Sequence, residues 1–179
     1  MRLIQFADGT YQESSELLKM FGLESRRNPV ISVVGAGGKT SLIKALADDY
    51  TKDHRSVIVT TTTHMMQPEF SMFTTSQSTE QQEQKILPTS QSTEQQGQKI
   101  FLTDQTPDWR QQMNCRNRQQ IWLGVPTDAG KIKNPFEEMW EAAFARRIPI
   151  LIEADGAKRK SCKAPAEHEP VIRPETTAV

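Results

Sequence analysis

Apolar positions along this chain alternate between two rhythms: short unbroken runs rich in β-branched residues, and helical spacings of three and four. The runs "NPVISVVG" (28–35) and "RSVIVTTTTH" (55–64) have the length and composition of buried strands. Between them, "GKTSLIKALADDY" (38–50) sets Leu42, Ile43, Leu46 and Ala47 on one helical face. Strand, glycine turn, helix and strand in this order suit a βαβ crossover, which predicts parallel strands. Farther on, "KIFLT" (99–103), "QIWLGV" (120–125) and "IPILIEADGA" (148–157) read as strands. "NPFEEMWEAAFARR" (134–147) reads as an amphipathic helix, with Asn134 as its cap, Pro135 at its first position and Arg146 and Arg147 at its C-terminal dipole. A short helix is also predicted within "QESSELLKMFG" (12–22), stopped by Gly22. Strands alternating with helices predict an α/β fold, a mostly parallel sheet flanked by helices on both faces, in a single domain over 1–179.

One stretch breaks the pattern. "TSQSTEQQEQKI" (75–86) returns as "TSQSTEQQGQKI" (89–100), a tandem copy of 12 residues at a spacing of 14, differing only at Glu83/Gly97. With almost no apolar residues the pair cannot stack into a core, so the segment 74–98 reads as a low-complexity, solvated insertion. At the other end, "PVIRPETTAV" reads as the entry to another element, and a further C-terminal portion is expected.

Charge narrows the function classes. Lysine plus arginine equals aspartate plus glutamate at 22 each, so no global field favours nucleic acid or an anionic membrane. No stretch approaches the roughly 20 apolar residues of a membrane span, and "MRLIQFADGT" lacks the apolar run of a signal peptide, so a cytoplasmic protein is expected. Cys115 and Cys162 lack metal-site or redox-pair spacing.

The chemistry must then be local, and "VVGAGGKTS" (33–41) is the first candidate. A loop between a buried strand and a helix N-terminus aims several main-chain N–H groups at one spot, where the helix dipole also favours an anion. Gly35, Ala36, Gly37 and Gly38 would form the cradle. Lys39 would reach the β- and γ-phosphates, Thr40 would bind Mg²⁺, and Ser41 would follow in the first helical turn. Val33 stands where the long phosphate-binding loop has its first glycine, so this would be a shortened form, G-x-x-G-K-T. That pattern resembles the loop of Mur-type ATP-dependent ligases. Thr60, Thr61, Thr62, Thr63 and His64 sit where the second strand would end, and Thr62, Thr63 and His64 are candidate ligand contacts in the same crevice. Glu153 and Asp155, closing "ILIEADG", lie two apart and would point to one side of a strand. They are the candidate catalytic carboxylates, and Asp155 joins Thr40 as a candidate metal ligand. In "EHEP" (167–170), His168 between two carboxylates is a candidate proton relay or metal ligand.

Taken in order, "ISVVGAGGKTSLIKALA", "VIVTTTTHM" and "IEADGAKRKSCKAPAEHEPVI" closely resemble the YqeC family, described as selenium-dependent molybdenum hydroxylase accessory proteins or selenium cofactor biosynthesis proteins. The resemblance is strong over 28–66 and 148–174, and Arg173 stands where the family pattern has proline. It implies a cytoplasmic accessory protein with a P-loop NTPase-like nucleotide site, taking ATP or GTP with Mg²⁺. Its partners would be a molybdenum hydroxylase or its maturation factors, with no nucleic acid and no membrane. Two other readings follow from the short loop: a Mur-like ligase that activates a carboxylate, and a non-catalytic nucleotide-binding module.

Overall fold

A computed structural model of the chain describes residues 3–7, 10–14, 16–67, 98–114, 118–156 and 167–179. The repeat falls outside these residues except for its last three, Gln98–Ile100, which enter a strand; both cysteines and the basic stretch 157–166 also fall outside.

The elements run β1 (Leu3–Ala7), β2 (Thr10–Ser14), α1 (Leu17–Met20), β3 (Val30–Val33), α2 (Lys39–Lys52), β4 (Val57–Thr61), β5 (His64–Met66), β6 (Gln98–Leu102), α3 (Trp109–Gln112), β7 (Gln119–Leu123), β8 (Val125–Thr127), β9 (Lys131–Lys133), α4 (Glu137–Ala145) and β10 (Ile150–Glu153). Five strands form one sheet in the order β3-β10-β4-β7-β6, and every pairing in it is parallel. The α/β reading is therefore right, and the crossover β3-α2-β4 has one feature the pattern could not show. β10 inserts between β3 and β4, which brings the end of "ILIE" beside the glycine turn that follows β3.

Strand alternation divides the core in two. Ile31, Val33, Val57, Val59, Trp122 and Leu151 pack with Leu17 and Leu18 of α1 and Ile43, Leu46, Ala47 and Tyr50 of α2. Val30, Ile58, Ile121, Leu123, Ile150 and Ile152 pack on the other side with Met139, Trp140 and Ala143 of α4. Both faces of the sheet are covered, which is why its strands are continuous apolar runs rather than alternating ones. Continuing the alternation along β10 puts Glu153 on the α2 side, under the first turn of that helix.

Three local expectations change. Residues 12–14 belong to β2, which pairs antiparallel with β1, and the helix predicted from residue 12 covers only Leu17–Met20. Gly22 does stop it, in the left-handed region at φ 61°. At α4 the cap is Phe136, not Asn134, and Pro135 lies before the helix. Asn134 instead accepts a 3.0 Å hydrogen bond from the indole Nε1 of Trp140, which gives the fully buried tryptophan its polar partner. Third, "QIWLGV" is two strands: β7 and β8 separate at Gly124, where an added Cβ would lie 2.8 Å from the Cβ of Ile132. The absent side chain lets β8 join β9 and β5 in a small antiparallel sheet.

The segment 167–179 has no regular structure beyond an isolated bridge, yet it is well tied. Thr177 and Ala178 donate main-chain N–H bonds to Val30 O, Ser32 N–H bonds Ala178 O at 2.9 Å, and Ile31 and Ala178 form a parallel bridge along the open edge of β3. Arg173 bonds both carboxylate oxygens of Glu137, reaches Glu175, and lies over the rings of Trp140 and Phe144 at 4.8 and 5.5 Å. Among the described residues no helix is long and apolar enough to cross a membrane.

Candidate functional site

α2 begins without a side-chain cap. Its N-cap is Gly38 at φ 88°, and Gly35 sits at φ 121°, backbone angles that a residue with a Cβ adopts only under strain. These two glycines turn the chain from β3 into the helix, leaving Gly35, Gly37 and Gly38 exposed and Ala36 half-buried. Among the described residues the main-chain N–H groups of Gly37, Gly38, Lys39 and Thr40 find no acceptor. The open amides and the positive end of the α2 dipole therefore coincide.

Around this loop the predicted carboxylates close in. Lys39 is buried, and its Nζ donates to Gly35 O at 2.7 Å and Ala36 O at 2.9 Å and pairs with Asp155 Oδ1 at 2.9 Å. The other Asp155 oxygen accepts the Gly35 N–H at 3.0 Å. The Thr40 hydroxyl donates to Glu153 Oε2 at 2.7 Å. So the two carboxylates divide the loop between them: Asp155 holds its opening and its lysine, and Glu153 holds its threonine.

Glu153 is the electrostatically uncomfortable member. Burial pushes its carboxyl above the usual range, the Thr40 hydroxyl and Lys39 ammonium pull it back, and Asp155 pushes it up again. A raised pKa in the folded state means that the native protein holds the proton more firmly than the unfolded chain. Its contribution to stability is therefore full below the unfolded pKa and is lost as pH rises through the folded one. In metal-free protein, Glu153→Gln should flatten that loss in a denaturation series run upward from pH 4.5, the group's ordinary value. An unchanged pH profile would contradict the assignment.

The hydroxyl run has a different distribution from the one expected. Thr61 Oγ1 donates to Glu153 O and Thr62 N–H bonds the same carbonyl, so this turn is built against β10. Thr62 Oγ1 is engaged with Val171 O at 2.6 Å, and Thr63 N–H bonds Thr61 Oγ1. His64 is exposed in β5, paired in register with Lys133. Among the described residues no hydrogen bond joins 62–64 to the loop 35–40. Ser41 is exposed on the first turn of α2, and His168 is exposed outside the cluster. No group of three or more His, Cys, Asp or Glu side chains capable of holding a metal occurs among the described residues.

Sequence reasoning placed the loop and both carboxylates but missed what holds Asp155 in place. Val171 N–H bonds Ala154 O at 2.8 Å, and Gly156 N–H bonds Glu169 Oε1 at 3.1 Å. One main-chain bond and one side-chain bond thus tie 169–171 to 154–156, and both come from the proline-containing stretch around "EHEP".

A model of the YqeC protein family matches residues 31–179, a span that begins inside β3 and contains the loop and both carboxylates. The uncharacterized protein YqeC of Escherichia coli (strain K12) is 32% identical over 149 residues, which cover 82% of this chain and 48% of that protein. The chain thus spans about half the length of the curated relative it matches. No solved structure matches. From the family match and this relative together, the chain belongs to the YqeC family.

Proposed function

We propose that the chain binds a nucleoside triphosphate, ATP or GTP, with Mg²⁺, at the loop Gly35–Thr40. The observation that carries the reading is the set of open amides on the α2 N-terminus with a buried lysine inside the loop and two strand-end carboxylates against it. Open amides and dipole favour a polyanion, and the lysine adds a charge-assisted contact. The Thr40 hydroxyl and the Glu153 and Asp155 carboxylates are hard oxygen donors of the kind Mg²⁺ takes, usually one or two from protein with phosphate and water completing the shell. Bound Mg²⁺ would supply charge neutralisation at the phosphates.

The chain's own residues would then divide the work. The amides of Gly37, Gly38 and Lys39 bind phosphate oxygens, Lys39 offsets charge, and Thr40 with Glu153 or Asp155 orients the metal. Glu153, whose burial favours its neutral form, is the carboxyl best placed to accept or return a proton.

The setting proposed is maturation of a selenium-dependent molybdenum hydroxylase, and what supports it is the family resemblance of the three motifs. Selenium content of a hydroxylase purified from cells carrying only Lys39→Ala protein tests that setting; content equal to wild type would sink it. The nucleotide reading has its own test. If the loop reads polyphosphate, triphosphate and diphosphate should bind with Mg²⁺ while the monophosphate and nucleoside bind about 100-fold more weakly, the loss of two charge-assisted contacts. Affinity independent of phosphate number would remove it.

A further inference from the structure

An ammonium has three N–H donors. In this structure Lys39 donates to two acceptors, Gly35 O and Ala36 O, at 2.7 and 2.9 Å, and its third contact is a 2.9 Å buried ion pair with the Asp155 carboxylate. Of these three contacts, the ion pair is the one that offsets the charge a phosphate oxygen would meet. Two of them go to neutral carbonyls of the loop itself, whereas the third goes to a carboxylate that would also repel the incoming polyanion. Asp155 is held in that position from both sides of its own backbone, at Ala154 by Val171 and at Gly156 by Glu169. Its second oxygen closes on the Gly35 N–H, the first amide of the cradle.

We infer that Asp155 is a latch: in the empty protein it holds Lys39 and Gly35 in a self-satisfied arrangement, and a divalent cation arriving with the phosphates releases both. Asp155 would hold the cation with the carboxylate it now sets against Lys39, and the charge of the ammonium would then be left to phosphate. Metal and polyphosphate therefore bind cooperatively, and polyphosphate alone meets the open amides beside a lysine whose charge Asp155 still offsets. Glu153 takes no part in the release, since its partner is Thr40. This inference rests on the nucleotide reading above and adds a required order to it.

The test is calorimetric affinity of the intact chain for inorganic tripolyphosphate, with saturating Mg²⁺ and with EDTA, for wild type and Asp155→Asn. Asparagine keeps an oxygen for the Gly35 N–H and removes the charge. The wild type should bind at least about tenfold more tightly with Mg²⁺, and Asp155→Asn should gain about tenfold in EDTA and lose most of the Mg²⁺ enhancement, as expected for one charge-assisted contact. If Asp155→Asn binds no more tightly in EDTA than wild type while the wild type binds with Mg²⁺, the latch is wrong and the phosphate loop stands. If the wild type binds in neither condition, both fall. Should the variant not fold, the wild type alone still decides: equal affinity with and without Mg²⁺ overturns the latch.

Discussion

Replacing Lys39 with alanine should destabilise the empty protein by about 3 kcal/mol, the low end of the cost of stripping one partner from a buried ion pair. The side chains of Lys39 and Asp155 are 4% and 8% exposed, so water screens the pair little. Without the ammonium, the Asp155 carboxylate keeps its bond from the Gly35 N–H but loses its ion pair with Lys39 in a buried setting. The low end applies for that reason. A double-mutant cycle by urea denaturation isolates the pair: Asp155→Asn in the Lys39→Ala background should recover about 2 kcal/mol of the loss, because it removes the buried charge that Lys39 had offset. Additive losses, or a Lys39→Ala protein within about 0.5 kcal/mol of wild type, the usual range of surface substitutions, would mean that the pair is not formed in solution. On the nucleotide reading proposed above, function and stability would be opposed at this residue, since phosphate would compete with the contact that stabilises the fold.

The second large effect lies away from the loop. Trp140→Ala should cost about 4 kcal/mol, in the range found for emptying a large aromatic site. Trp140 is completely buried, its indole N–H is satisfied by Asn134, and its ring stacks on Phe144 at 5.6 Å. The consequence reaches the site, because Arg173 rests on both rings, and Arg173 anchors the segment whose Val171 and Glu169 hold Ala154 and Gly156 around Asp155. The milder Arg173→Ala spares the core and should speed amide hydrogen exchange at Val171, Thr177 and Ala178 while leaving the α4 amides protected. Equal exchange in variant and wild type would show that the tail is held without Arg173.

What was legible in the sequence was what repeats locally. The runs at 30–33, 57–61 and 150–153 are strands because a two-sided parallel sheet demands continuous apolar residues, and α2 announces itself through Ile43, Leu46 and Ala47. The loop was legible because glycines at 35 and 38 are the residues that tolerate φ 121° and 88°. The carboxylates were legible as the end of an apolar strand. That they meet the loop was not, since it follows from β10 entering the sheet between β3 and β4, and strand order leaves no mark on composition.

The failures have physical causes as well. β5, β8 and β9 are three residues each, too short to print a period of two. The β1-β2 hairpin carried its signal in Asp8-Gly9 between two five-residue runs, and the apolar cluster after it drew the helix too far forward. Asn134 has a cap's chemistry but was claimed by the indole six residues on. The tail is the clearest case: Ser32 meets Thr176 across 144 residues through two hydroxyls at 2.8 Å, a polar contact without periodicity. Arg173, read as a departure from a family pattern, turns out to be the tail's anchor.

The central claim is that the amides at the head of α2, with Lys39, receive a polyphosphate. Side-by-side calorimetric titration of Mg²⁺-ATP and Mg²⁺-GTP into the wild-type chain and the Lys39→Ala variant addresses it directly. Saturable binding to the wild type, weakened about 100-fold in the variant, is the result expected from loss of a charge-assisted phosphate contact in a low-dielectric site. Equal affinity in the two proteins, or no binding of either nucleotide to the wild type, would contradict it.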